Sequence, residues 1–289
     1  MKTLKVLLVG CGHMGSSHGM AYQKMPEYEL VGVVARSANK AEKFVEQIGA
    51  KCPVYTDYYD ALEKASPDVV SICTYTETHA PYAIAAFKKG CHVFLEKPLA
   101  ETVEDAKAVA EASRAAGKKL VVGYILRHHP SWKKFIDVAR TLGKPLVMRM
   151  NLNQQSHGDA WQTHKNLLKS LSPIVDCGVH YIDVMCQMTR AKPVSVSAIY
   201  ARLTDEIAPD KSNYGQLQIR FDDGSVGWYE AGWGPMISTN AFFIKDAIGP
   251  NGCASICAEY AHSDSDSDTV NFHTKTEKIR VFCLSRCLA

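Results

Sequence analysis

One short loop constrains the fold more than any other feature of the chain. Gly10, Gly12 and Gly15 space out a G-x-G-x-x-G pattern, with Cys11, His13 and Met14 between them. The loop follows an apolar run over residues 5–9 and opens a helix expected over residues 14–24. In that setting the first glycine permits a tight turn, the second lets a pyrophosphate approach the backbone, and the third lets helix and strand pack closely. The helix N-terminus then offers unpaired N–H groups and a favourable dipole to the phosphates. The loop therefore predicts a dinucleotide-binding α/β unit.

The rest of the first half agrees. Strands are expected over 5–9, 29–35, 68–74, 92–96 and 119–124, alternating with helices over 14–24, 38–48, 58–64, 80–89 and 103–116. Asp57 and Thr102 stand at N-cap positions, and Gly49, Gly90 and Gly117 stand where left-handed C-caps favour glycine. Apolar strands alternating with helices imply a doubly wound parallel sheet. NAD-preferring folds place an acidic residue at the end of the second strand. Here Arg36 and Ser37 follow residues 29–35 instead. Arg36 can pair with a ribose 2′-phosphate, which tilts the cofactor toward NADP; if it only stacks over the adenine, NAD serves equally.

From about residue 124 the pattern changes. A helix over 132–141 and a strand over 146–153 precede a polar, His-rich stretch over 154–170. An apolar helix over 174–188 follows, then β-like runs over 194–202, 214–221, 225–232, 241–248 and 254–260. Asp222, Asp223 and Gly224 form the expected hairpin turn. The reading is a Rossmann domain, residues 1–124, followed by an α+β domain, residues 125–289, with a mostly antiparallel open sheet for substrate binding and oligomerisation. Hydrophobic residues at 46% and charged residues at 22% suit two packed cores. A net charge of +3 offers no basic face for nucleic acid, and no run of about eighteen apolar residues marks a membrane span. The apolar start is too short for a signal peptide. Ten scattered cysteines read as free thiols in a cytoplasmic protein.

Glu96, Lys97 and Pro98 end the expected fifth strand, where a doubly wound sheet lines its ligand crevice. With them the chain resembles the Gfo/Idh/MocA (glucose–fructose oxidoreductase / inositol dehydrogenase) family. The matching residues run in order through the glycine loop, Thr74 with His79 and Ala80, residues 90–93, Glu96 to Ala100, residues 122–124 with Arg127 and Pro130, and Asp176, Gly178, His180 and Asp183. The resemblance spans the first half and the second to about Gly252.

It implies an NAD(P)-dependent oxidoreductase acting on a CH–OH group of a sugar, cyclitol or related polyol. It makes Lys97, Asp176 and His180 the catalytic set. His180 is expected as general base or acid, Lys97 as the polarising cation and Asp176 as the orienting group; the first two roles are exchangeable. Gly178 is expected to leave room for a ligand. Gly10, Gly12, His13, Met14, Gly15, Arg36, Ser37, Thr74, Tyr75, His79, Glu96 and Lys97 are expected to meet the cofactor. Tyr124, Arg127, His157, Trp161, His164, Asp176 and His180 are expected to meet the substrate. Trp161 would stack on a sugar face, and Arg127 is either a site residue or an exposed connector. The histidines 157 and 164 lack a fitting third metal ligand. A homodimer or homotetramer is implied.

The chain also departs from the family pattern. Tyr75 stands where proline is usual. Residues 169–174 replace a commonly glycine-rich segment. Only 37 residues follow Gly252, and residues 281–289 read poorly as the usual closing elements, so a truncated or altered member is expected. Two rival functions share the fold: glycoside cleavage with a resident NAD, and a non-catalytic dinucleotide-binding protein.

Overall fold

The computed structural model describes residues 3–238, 244–257, 267–274 and 276–284. They divide into two compact units, the first ending at Gly123 and the second beginning at Tyr124.

The first unit alternates β1 (Leu4–Val9), α1 (His13–Lys24), β2 (Tyr28–Val34), α2 (Ala38–Gln47), β3 (Val54–Tyr55), α3 (Tyr58–Ala65), β4 (Val69–Ile72), α4 (His79–Lys88), β5 (His92–Leu95), α5 (Val103–Ala115) and β6 (Leu120–Val122). All six strands are parallel, in the order β3-β2-β1-β4-β5-β6. Val6 to Val9 and Val70 are buried to within 1% of completely, because helices cover both faces of the central strands. Two apolar clusters result, one built around Leu7, Phe87 and Leu95 and the other around Leu8, Val33 and Phe44. Asp57 and Thr102 cap α3 and α5 by accepting from Asp60 N and Asp105 N. Gly49, Gly90 and Gly117 all take positive φ, as left-handed helix ends require. The strand β3 is absent from the sequence reading, because two residues show no periodicity.

The second unit contains α6 (Pro130–Ala139), β7 (Val147–Gln155), α7 (Gly158–Leu167), α8 (Pro173–Asp176), α9 (Gly178–Thr189), β8 (Pro193–Ala201), β9 (Tyr214–Phe221), β10 (Val226–Gly234), β11 (Lys245–Gly249), β12 (Gly252–Cys257), β13 (Ser267–Thr274) and β14 (Lys278–Leu284). Eight strands run β14-β13-β12-β11-β7-β10-β9-β8. Every pairing is antiparallel except β7 with β10. The hairpin at Asp222 joins β9 to β10 as expected, with Gly224 at φ +82°. One core gathers Trp132, Phe135, Met148, Met150, Tyr181, Met185 and Tyr229 between the helices and one sheet face.

Three expectations change here. The polar stretch 154–170 holds α7, anchored in the core by the buried Trp161 and, at its end, by Leu167. The single helix over 174–188 breaks at Cys177 into α8 and α9. Of residues 281–289, which read poorly as closing elements, 281–284 belong to β14 and pair with β13, and 285–289 lie outside the described residues. Most of the expected loop at 263–268 lies outside the described residues, as do 258–260 and 241–243 of two expected strands. The cysteines at 11, 52, 73, 91, 177, 186, 253 and 257 are free thiols.

Candidate active site

The glycine loop has the geometry its spacing predicts. Gly10 takes φ +106°, and a Cβ there would lie 2.4 Å from the Cys73 carbonyl oxygen. A Cβ on Gly15 would lie 2.0 Å from the Gly10 carbonyl oxygen, so only glycine lets α1 leave the strand at this angle. Gly12 faces nothing within 4 Å; its side is open for a ligand to approach the backbone. No side chain caps α1 and its first turn carries no acid, so its amino end keeps its positive character for phosphate. His13 is exposed beside it and Met14 half-buried. The residues present fit a dinucleotide.

Arg36 and Ser37 are exposed just past β2, and the Arg36 guanidinium sits 6.0 Å above the Tyr75 ring. The Thr74 hydroxyl accepts from Thr78 Oγ1 at 2.6 Å. Burial pushes the Cys11 thiol up to about 11, opposed by Lys40, so it stays a neutral lining group rather than a nucleophile.

Lys97, half-buried, follows the end of β5. Its neighbour Glu96 is 5% exposed. Glu96 Oε1 lies 3.0 Å from His18 Nε2, and Oε2 accepts from Lys97 N at 3.2 Å. Burial pushes the Glu96 carboxyl up, but His18 and Lys97 outweigh it and hold it below the ordinary glutamate value. Gly123 belongs to this packing, since a Cβ there would come within 2.9 Å of the carboxylate. His79 is 1% exposed, with Nδ1 2.7 Å from Pro98 O and Nε2 3.1 Å from Thr74 O. Glu96 and His79, expected to meet the cofactor, are therefore shut inside and hold backbone instead. His18 escaped the sequence reading. Its signal is its place one turn after Gly15, on the helix face that turns toward the sheet.

In the second unit Tyr124 and His180 meet edge to face at 6.2 Å. Arg127 grips Asp183 through two hydrogen bonds, from Nε at 2.8 Å and Nη2 at 2.5 Å, and lies 5.1 Å over the Tyr124 ring. These four residues form one connected group, and Arg127 is a paired member of it rather than a loose connector. Burial raises the Tyr124 phenol above its ordinary value; Asp183 adds to this and Arg127 opposes it.

Asp176 ends α8 and His180 lies in the first turn of α9, so a break at Cys177, not one continuous helix face, sets their relation. The Cys177 thiol reaches Asp176 Oδ2 at 3.5 Å and Gln154 Oε1 at 3.7 Å. Gln154 also accepts from Trp233 Nε1 at 2.9 Å. His164 stacks flat on Trp233, 4.5 Å away at 6°, and contacts Ser156 Oγ at 2.9 Å. Burial holds His164 below the ordinary histidine value, and the Asp176 charge pulls the other way. His164, Gln154, Trp233 and Asp176 thus share one neighbourhood, of which Gln154 and Trp233 were not anticipated.

Two expectations fail on packing. Trp161 is 6% exposed within the core, and its N–H donates to Glu206 Oε2 at 3.2 Å, so its faces are not presented to a sugar. Gly178 does not leave room for a ligand; the Tyr229 ring fills that space, 3.0 Å from where a Cβ would stand. His157 is exposed at the N-cap of α7 and makes no capping bond. Lys245, also unanticipated, is 2% exposed beneath α9. Its ammonium donates to the Asn151 carbonyl and lies 4.7 Å from the Tyr181 ring centre. Burial brings it down to about 7, against the pull of Cys177.

Residues 4–124 match the family model described as "Oxidoreductase family, NAD-binding Rossmann fold". Residues 133–240 match "GFO/IDH/MocA C-terminal domain". A 4-carboxy-2-hydroxymuconate-6-semialdehyde dehydrogenase from Sphingobium sp. is 30% identical over 235 residues, covering 77% of this chain and 70% of that protein. An inositol 2-dehydrogenase from Klebsiella pneumoniae is 27% identical over 245 residues, covering 83% of this chain and 67% of that protein. The crystal structure of an aldose-aldose oxidoreductase from Caulobacter crescentus, complexed with glycerol, superposes with a TM-score of 0.80 at 21% identity. That match covers 97% of this chain and 83% of the other, and the likeness is one of fold.

Proposed function

The chain belongs to the Gfo/Idh/MocA oxidoreductase family, and from that premise we propose that it is an NAD(P)-dependent dehydrogenase acting on a secondary hydroxyl of a sugar, cyclitol or related polyol. The observation that carries the reading is the glycine loop with its open Gly12 and uncapped α1, which fit a pyrophosphate. The names of the relatives support the substrate class: one acts on inositol and another, from Escherichia coli, is a D-glucoside 3-dehydrogenase.

When bound, the nicotinamide supplies a two-electron acceptor or donor. Gly10, Gly12, His13, Met14 and Gly15 would hold its pyrophosphate, with Thr74 and Tyr75 beside it. Arg36 and Ser37 would face the adenosine ribose, and Arg36 gives NADP the advantage there. The chain's own part is proton handling. Lys97 polarises the substrate oxygen, and His180 takes or returns its proton. An imidazole suits that transfer near neutral pH. Asp176 orients the substrate hydroxyls, and the group of Tyr124, Arg127 and Asp183 fixes the His180 ring. His164, Gln154 and the exposed His157 supply further polar contacts. A second copy of the chain is the expected partner, since β8 exposes Val194, Val196, Ile199 and Tyr200.

Titration calorimetry with NADP+ and with NAD+ tests the cofactor reading. A screen of inositols, aldoses and glucosides, followed by the absorbance of reduced nicotinamide, tests the substrate class. Preference for NAD+ would reduce Arg36 to a stacking role. Binding without net nicotinamide reduction, together with glycoside cleavage, would replace the dehydrogenase reading.

A further inference from the structure

Strand pairing in the first unit stops before the residue that matters. Leu95 is the last residue of β5, paired with Ile72 and Val122, and Glu96 N donates to Ile72 O at 2.9 Å. Lys97 lies beyond this ladder, where a backbone is usually held only by turns and side chains. Both of its neighbours are instead met by histidines from different helices, the partly buried His18 and the buried His79.

On one side His18, from the helix that opens at the glycine loop, points Nε2 at Glu96 Oε1, 3.0 Å away. Its own ring is fixed by Ser71 Oγ at 3.0 Å from Nδ1 and by the edge of Phe94, 4.7 Å away at 89°. On the other side His79, at the start of α4, points Nδ1 at the Pro98 carbonyl, 2.7 Å away. Its Nε2 faces the Thr74 carbonyl at 3.1 Å. A carbonyl only accepts, so a neutral His79 donates to one of the two and an imidazolium to both. The shorter contact, to Pro98, is the one a neutral ring keeps.

We propose that His18 and His79 are positioning residues that brace Lys97 from both sides, through Glu96 and Pro98. The inference rests on Lys97 being the group that meets the substrate oxygen. Neither histidine touches substrate in this reading. Each removes freedom from a segment that the sheet no longer holds. A misplacement of about 1 Å at a reacting group costs roughly 100-fold in rate, so a two-sided brace has a function to serve.

The test uses side-chain amides as mimics of single ring nitrogens. Asparagine places an N–H near the Nδ1 position and glutamine near the Nε2 position. His79→Asn therefore keeps the donor to Pro98, and His79→Gln loses it. At His18 the pattern reverses: His18→Gln keeps the donor to Glu96, and His18→Asn loses it. Site-resolved acetylation of Lys97 in the full chain, scored by mass spectrometry against the exposed Lys107, reads the brace without any turnover. Thermal melting confirms folding, and two positions guard against one variant failing to fold.

The expected result is crossed. H79Q and H18N change Lys97 reactivity at least about threefold and lower kcat about 10–100-fold, with KM for the nicotinamide cofactor within about twofold. H79N and H18Q recover most of both. Equal behaviour of the two amides at each position overturns the brace. A crossed labelling pattern with unchanged kcat shows that Lys97 is held but overturns its positioning for the reaction. If the wild-type chain reduces nicotinamide with none of the polyols or aldoses tried, the proposed function fails. The labelling pattern then decides the brace alone, crossed upholding it and uniform removing it.

Discussion

The two units hold their candidate residues by different means. In the first, the functional groups sit at the carboxyl ends of parallel strands or one turn beyond. Buried backbone places them, helped by the buried Glu96 and His79 and the partly buried His18. In the second, they sit on short helices and a helix break, and side-chain contacts place them: Arg127 on Asp183, His164 on Trp233, Cys177 on Asp176. The first unit is a frame set by the sheet. The second is a surface whose shape depends on contacts between residues distant in the chain.

The largest expected effect separates chemistry from the frame. Lys97→Met should lower kcat by about 10²–10⁴-fold in the polyol or aldose assay while calorimetric cofactor affinity stays within a fewfold. Turnover near the wild-type rate would remove Lys97 from the reaction. Next, the frame itself can be split into stability and binding. Gly15→Ala drives a methyl into the Gly10 carbonyl and should cost about 1–3 kcal/mol or more in denaturant melts. Gly12→Ala meets no protein atom, so it should leave stability unchanged and weaken dinucleotide binding. Equal destabilisation by both would contradict the division of labour among the glycines.

Titration sharpens the comparison further. Glu96 and His79 in the first unit and His164 in the second all titrate below their ordinary values. Each is less protonated folded than unfolded, so its stabilisation is present at neutral pH and lost as pH falls through its folded pKa. Lys245 acts in another window. With about 7 folded against 10.5 ordinarily, the unfolded chain binds more protons between those values, and stability should rise with pH across that range. Lys245→Met should flatten that rise in melts at pH 7 to 10; an unchanged slope would show that Lys245 does not cause it. The smallest effect belongs to the rim of the second unit. Arg127→Ala removes a two-bonded pair, but Arg127 is 46% exposed, so the stability loss should be only about 1 kcal/mol. Its larger consequence should be a raised KM for substrate as Tyr124 and His180 loosen.

Much of the first unit was legible in the chain. Residues 5–9 and 92–96 announce strands because an apolar run, 6–9 in one and 93–95 in the other, fills each apart from its polar ends, and Asp57 and Thr102 announce helix starts because the capping bond spans three residues. The glycine spacing was legible for the same reason: strand, turn and helix are all within a dozen residues. The second unit was harder. Trp161 looked available because its sequence neighbours are polar, yet its partners in the core lie far along the chain. The bend at Cys177 is hidden inside an apolar run that reads as one helix.

Sequence alone determined what depends on near neighbours: the parallel α/β order, the glycine loop, the helix caps, the hairpin at Gly224 and the family. These follow from φ preferences, periodicity and bonds a few residues long. Tertiary structure alone decided what depends on distant partners. His18 and Glu96 are 78 residues apart, Arg127 and Asp183 are 56 apart, and Lys245 and Asn151 are 94 apart. Whether a histidine, tryptophan or lysine faces a ligand or the core is a contest between desolvation and the partners burial provides, and those partners exist only once the sheets have assembled.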